Sequence, residues 1–190
     1  MAPLRAQKEG IVMAAATMRL PFNLNAWIEE NLPKSLGGIG NKDVFEEDTD
    51  MIFQIIKGPN GRNDFHICPS DEIFYQLQGD MMLPYLDEHG LRHEVQIQEG
   101  DVFRLPRFVP HSPQRPAGTI GLVIERRRKA HELDAVVWFC RKCHNTLHRV
   151  EYWRDNQAMK IKEVAAAFNA DKELRTCKRC GAVLPDPTQG

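Results

Sequence analysis

No surplus of positive charge exists in this chain: 25 Lys and Arg stand against 26 Asp and Glu, a formal net charge of −1. A nucleic-acid binder needs a basic face left over to meet phosphates, and none is available. Long apolar runs are missing as well. Nothing approaches the roughly 20 residues of a membrane-spanning helix, so no membrane partner is expected. Internal repeats and low-complexity tracts are absent. Cysteines are few, five in all, and their odd number suits no disulfide framework. Four of them fall into two C-x-x-C pairs, the pattern of a metal site in a reducing compartment. A cytoplasmic location is therefore expected. What the chain does have is 42% hydrophobic and 27% charged residues over 190 positions. That is the composition of a soluble globular domain with a real core.

Three segments are expected: an extension over 1–17, a barrel over 18–130 and a tail over 131–190. Ile11–Thr17 is short, apolar and preceded by Arg5 and Lys8, a faint secretory pattern. Thiolate metal ligands fit poorly with export, so residues 1–17 read as a disordered extension with Met18 the natural start of the fold. Asn23 to Pro33 reads as a helix capped by Asn23 or Asn25 and stopped by Pro33. Leu24, Trp27, Ile28 and Leu32 fall at helical spacing and are expected to pack on the barrel. Leu36 to Asn41 reads as a flexible loop.

From Met51 to about Arg127 short β-like runs alternate with turns. The runs cover 51–57, 73–78, 81–86, 93–98, 102–105 and 120–125, and Gly, Pro, Asn or Asp residues lie between them. Many short strands at such intervals predict an all-β barrel or sandwich. A small antiparallel barrel has an interior that holds one small ligand. In the tail, Val136–Cys140 reads as a strand, a helix is expected near Lys160–Phe168, and the end after Pro185 reads as frayed.

Two stretches carry the chemistry. Gly61 to Gly79 supplies His66 and Glu72, and Gly100 to Arg115 supplies His111. Two imidazoles and one carboxylate suit Fe(II) or Mn(II), and three ligands leave coordination positions open. Any one such histidine is more often a hydrogen-bonded structural residue; the combination makes the argument. His89, His93, His131, His144 and His148 lack comparable partners and read as surface or packing residues.

The first stretch, Gly-x4-His66-x-Cys68-x3-Glu72-x6-Gly79, resembles cupin motif 1, and Gly100-x5-Pro106-x4-His111 resembles cupin motif 2. Two positions depart from the pattern. Cys68 stands where motif 1 usually has a second histidine, and Arg115 where motif 2 usually ends in asparagine. Gly61–His66, Asp71–Met81, Pro110–Arg115 and Gly121–Arg128 further resemble the 3-hydroxyanthranilate 3,4-dioxygenases, with coverage from about Pro21 to Pro187. The resemblance implies a cupin barrel holding Fe(II), with 3-hydroxyanthranilate and O2 as reactants. The implied product is 2-amino-3-carboxymuconate semialdehyde, which cyclises to quinolinate, a precursor of NAD. A homodimer is implied by family habit. Arg62 and Arg115 correspond to the family's functional arginines and Glu125 to its pocket carboxylate.

Each role has a chemical rationale. Arginine grips a planar carboxylate with two hydrogen bonds, and a carboxylate beside the substrate's hydroxyl and amine accepts a proton. On pattern alone, Arg62 could equally be a solvated turn residue. Glu125 could equally belong to the charged run Glu125–Arg128, because alternation leaves either face of its strand internal. Cys68 is expected near the pocket mouth, without an assigned role.

Cys140-x2-Cys143 and Cys177-x2-Cys180 are separated by 33 intervening residues. Four thiolates form a closed tetrahedral site for a second metal, structural Zn(II) or a single iron. The resemblance points to a rubredoxin-like centre found in some family members. Iron and zinc are not separable on sequence. Two other readings remain open at this stage: a non-enzymatic cupin that binds small aromatic acids, and a cupin isomerase or decarboxylase that consumes no O2.

Overall fold

The computed structural model describes residues 20–32, 40–45, 49–154 and 158–187. The expected extension over 1–17, the start at Met18, the stop at Pro33, most of the glycine loop and the last three residues lie outside the described residues. The chain begins with α1 (Leu24–Asn31), whose cap is Asn23: its side chain accepts from the Ala26 N–H at 3.0 Å. Ten strands follow. They are β1 (Gly40–Asp43), β2 (Met51–Lys57), β3 (Phe65–Ile67), β4 (Glu72–Gln78), β5 (Met81–Leu86), β6 (Arg92–Ile97), β7 (Val102–Leu105), β8 (Ile120–Arg126), β9 (Asp134–Phe139) and β10 (Thr146–Tyr152). Two helices, α2 (Ala158–Ala170) and α3 (Lys172–Arg175), close the chain.

One antiparallel layer has the order β1-β2-β8-β4-β7. The other is assembled from β10-β9-β3 and β5-β6. Residues 109–115 join these two parts. His66 and His111 exchange backbone bonds of 2.7 and 3.0 Å on one side, and Met82 and Gln114 exchange bonds of 3.1 and 2.8 Å on the other. Pro110 and Pro113 lack the N–H that a continuous strand needs, so this segment pairs through single bridges rather than a ladder. This all-β, antiparallel arrangement with a few short helices is the expected cupin fold class.

Alternation along β4 sends Glu72, Phe74 and Gln76 inward and leaves Ile73 and Tyr75 outside. Between the layers lie Phe74, Met81, Leu83, Ile97, Leu105 and Val123. Burying each such side chain contributes about 1.5–3 kcal/mol. On the outer face, α1 covers Val44, Ile55 and Leu122 with Ile28 and Leu32, the packing its spacing predicts. Gly79 turns β4 into β5 with φ +63, a conformation a side chain resists. The 130/131 division falls between β8 and β9, yet β9 hydrogen-bonds to β3 with His66 opposite Val136. The tail thus supplies strands to the layer that carries the site.

Candidate metal centre and substrate pocket

β3 presents His66, the first residue of β4 presents Glu72, and the bridging segment presents His111. One ligand atom from each lies within 4.8 Å of the others. His66 Nδ1 is 3.9 Å from Glu72 Oε1, and His111 Nε2 is 3.0 Å from Glu72 Oε2. Both rings are oriented from behind. His66 Nε2 lies 2.9 Å from Asp134 Oδ2, and His111 Nδ1 lies 3.0 Å from the Val109 carbonyl. With its proton donated to Val109, a neutral His111 turns a lone pair toward Glu72. Among the described residues, Glu72 Oε2 is buried without a hydrogen-bond donor. Two acceptors 3.0 Å apart need a proton or a cation between them. The donor set fits a divalent ion of the iron or manganese kind.

Acid–base behaviour follows from the same pair. Burial works to push the Glu72 carboxyl up, but His111 and His66 hold it down to about 2. Burial works to lower His111, but Glu72 raises it above its ordinary 6.5. Glu72's share of metal-free stability is present above its unfolded value of 4.5 and lost as pH falls toward 2. His111's share is present below 6.5 and lost as pH rises through its raised folded value. Metal-free protein should therefore gain most from this pair between about pH 4.5 and 6.5. Metal must displace the His111 proton, so metal affinity should climb with pH, about tenfold per unit while that proton is held. Melting curves with and without metal across pH check this. A metal-free melting temperature that climbs steadily above about pH 6.5 contradicts it.

Glu125 stands opposite Glu72 in the β4–β8 register and is buried on the inner face with Val123. Its Oε2 accepts from Arg128 Nη2 at 2.7 Å, and Arg154 bonds its Oε1. Cys68 sits 3.4 Å from the same Oε2 and is 2% exposed, so it is packed inside rather than at a mouth. Burial pushes its thiol well above the ordinary cysteine range.

Arg115 is 2% exposed, and among the described residues its guanidinium finds one partner, Gln76 Oε1 at 3.1 Å from Nη1; Nε and Nη2 have none there. Burial lowers its guanidinium to about 10. Gly121 makes room for it, since a Cβ there would collide with Arg115 Nη1. Arg62 is half-exposed and its guanidinium is engaged by Asp64, Nε to Oδ1 at 3.3 Å. Two arginines expected to act alike thus differ: one is occupied and one has free donors.

The four cysteines of the tail also converge. Cys140 and Cys180 sulfurs are 3.6 Å apart and Cys143 and Cys177 sulfurs 3.5 Å. A tetrahedral thiolate site with bonds of about 2.3 Å has sulfurs about 3.8 Å apart. The two knuckles share one backbone pattern. Cys140 N–H bonds the Asn145 carbonyl and His144 N–H the Cys140 carbonyl; Cys177 N–H bonds Ala182 and Gly181 N–H bonds Cys177. His144 and Gly181 occupy the matching left-handed positions, φ 55 and 74. Burial opposes ionisation of Cys177, but the Cys180 and Arg179 N–H groups bring its thiol down to about 7. Cys177→Ser should remove one metal equivalent and about 3 kcal/mol or more of stability, about 6–12 °C in Tm. Metal at His66, Glu72 and His111 should stay. Loss of both equivalents from a folded variant would show that the two sites stand or fall together.

Residues 16–169 match the family described as 3-hydroxyanthranilic acid dioxygenase. The chain belongs to this family. Among its relatives, 3-hydroxyanthranilate 3,4-dioxygenase of Bacillus cereus is 45% identical over 168 residues, covering 88% of this chain and 93% of that protein. The protein of that name from Shewanella woodyi is 44% identical over 172 residues, 89% and 90% of the two chains. A solved cupin-2 domain protein from Shewanella frigidimarina aligns with a TM-score of 0.44 at 20% identity, over 56% of this chain and 94% of its own.

For this member of the dioxygenase family, sequence reasoning missed the groups behind the site. Asp134 holds His66, Arg128 holds both Asp134 and Glu125, Arg154 caps Glu125, and Gln76 holds Arg115. The one available signal was Asp134 itself, a charge at the head of the apolar run Ala135–Phe139.

Proposed function

We propose that the protein is an Fe(II)-dependent, ring-cleaving dioxygenase that converts 3-hydroxyanthranilate and O2 to 2-amino-3-carboxymuconate semialdehyde, which cyclises to quinolinate. Family membership together with the facing His66, Glu72 and His111 atoms carries this reading. In it, those three side chains hold Fe(II). Bound there, the ion supplies Lewis acidity and redox capacity at positions that three protein ligands leave open.

The remaining residues do the positioning. Arg115 offers Nε and Nη2 to the substrate carboxylate, a pairing that also satisfies two buried donors. Glu125, across from Glu72, accepts the proton of the substrate's ring hydroxyl once one oxygen is released by Arg128 or Arg154. Arg62, at the edge of the site, gives a second positive group near the carboxylate. Phe74, whose ring centroid is 6.1 Å from that of His111, helps keep water away from the reacting atoms.

In the same reading the four-thiolate site holds a second iron or zinc, whose role is to staple the tail. The protein is cytoplasmic, where thiolates stay reduced. It is also a homodimer, for which the exposed Ile73, Tyr75 and Val102 on the outer face of the five-stranded layer offer an apolar surface. Among the described residues no helix is long and apolar enough to cross a membrane. Turnover under ¹⁸O2 tests the reaction class. The new carboxylate should carry label, and ring-opened product without label overturns the reading.

A further inference from the structure

Asp134 is 0% exposed, and both its oxygens are used. Oδ2 lies 2.9 Å from His66 Nε2 and 2.8 Å from Arg128 Nη2, and Oδ1 accepts from Arg128 Nε. Arg128 goes on to Glu125 Oε2 at 2.7 Å, the Ser70 hydroxyl at 3.2 Å and the Arg126 carbonyl at 2.8 Å. A buried ion pair is costly to assemble and contributes little to stability against an apolar replacement. This one points at the ring of a metal-site histidine.

Neutral imidazole has two tautomers. With the proton on Nε2, donated to Asp134, the Nδ1 lone pair faces Glu72. With the proton on Nδ1, an N–H would point into the space between the three ligand atoms and block a cation. A fixed carboxylate on Nε2 selects the first form.

We propose that Asp134, clamped by Arg128, is a positioning residue that fixes His66 as an Nδ1 ligand, and that the shared guanidinium ties this ring to the Glu125 carboxylate. The inference rests on reading His66, Glu72 and His111 as the metal site. It adds that a residue of β9, in the tail, sets the ligand geometry.

The test uses the full chain with Co(II). Its d–d bands at the histidine–carboxylate site are distinct from the strong thiolate charge-transfer bands of the cysteine site. Asp134→Leu should weaken binding at the first site about 100-fold in competition with a chelator. Asp134→Asn, which keeps an acceptor for Nε2–H, should weaken it about 10-fold. The thiolate bands should titrate as in the parent. If Asp134→Leu strands Arg128 and fails to fold, the Arg128→Met/Asp134→Leu protein removes both charges and should show the same weakening. Parent-like Co(II) affinity in any folded variant lacking the carboxylate overturns the proposal. A ¹⁵N NMR spectrum of the zinc-loaded parent needs no variant at all: the His66 proton belongs on Nε2, and a proton on Nδ1 also overturns it. Neither measurement involves turnover, so a protein that binds metal as described yet consumes no O2 would sink the enzymatic reading and leave this one standing.

Discussion

Glu72→Ala should leave a folded chain that holds no metal at the barrel site and turns over at least about 10³-fold more slowly, the equivalent of about 4 kcal/mol in the barrier. The effect is large because Glu72 is the member that faces both histidines, Nδ1 of His66 on one oxygen and Nε2 of His111 on the other. Without it, two neutral imidazoles remain, and no charged ligand. Glu72→Gln keeps the volume and loses the charge, so it should lie with Ala rather than with the parent. The fold should survive, because the Phe74, Leu83, Ile97 and Val123 core does not include this side chain. Metal analysis and steady-state kinetics on the purified variant check it. Full metal content with parent-like turnover would mean that the ion sits elsewhere.

Arg115→Asn should reduce kcat/KM for 3-hydroxyanthranilate by roughly 30- to 700-fold, or about 2–4 kcal/mol of charge-assisted bonding lost in a desolvated pocket. The substitution restores the residue that the cupin pattern usually has there. 2-Aminophenol, which lacks the carboxylate, should lose little. The stability change should run the other way. A buried guanidinium with two unpartnered nitrogens is a cost to the substrate-free fold, so Arg115→Asn should melt no lower than the parent. Arg62 offers the contrast: its guanidinium is engaged by Asp64, and its replacement should be milder. Equal losses on both compounds would assign Arg115 to shaping the pocket and pass the carboxylate to Arg62.

The strands at 51–57, 81–86 and 102–105 were legible to the residue, because apolar alternation and turn residues mark both ends. β1 and β10 were not. Gly40–Asp43 and Thr146–Tyr152 are mostly polar and become strands by pairing with β2 and β9, a long-range effect with no local pattern. The sequence groups His66, Glu72 and His111 through spacing tied to two turns, and their ligand atoms lie within 4.8 Å of one another. The pattern could not decide which face Glu125 takes; burial beside Val123 and opposite Glu72 does. Apart from the charge of Asp134 ahead of Ala135–Phe139, the groups behind the site left no trace, since Asp134 lies 68 positions from His66 and Arg128 58 from Ser70. Arg128 also sits two residues past the end of β8, where alternation no longer predicts direction. The apparent surface run Glu125–Arg128 thus contains a buried carboxylate and a buried guanidinium 2.7 Å apart.

The proposed reaction joins O2 to 3-hydroxyanthranilate at the His66, Glu72 and His111 site. The protein is loaded with Fe(II) without oxygen, freed of excess metal, and mixed with substrate in an oxygen-electrode cell. One O2 should disappear for each 3-hydroxyanthranilate consumed, and the Glu72→Ala protein should consume none. Substrate loss without oxygen uptake, or binding without either, would contradict the account.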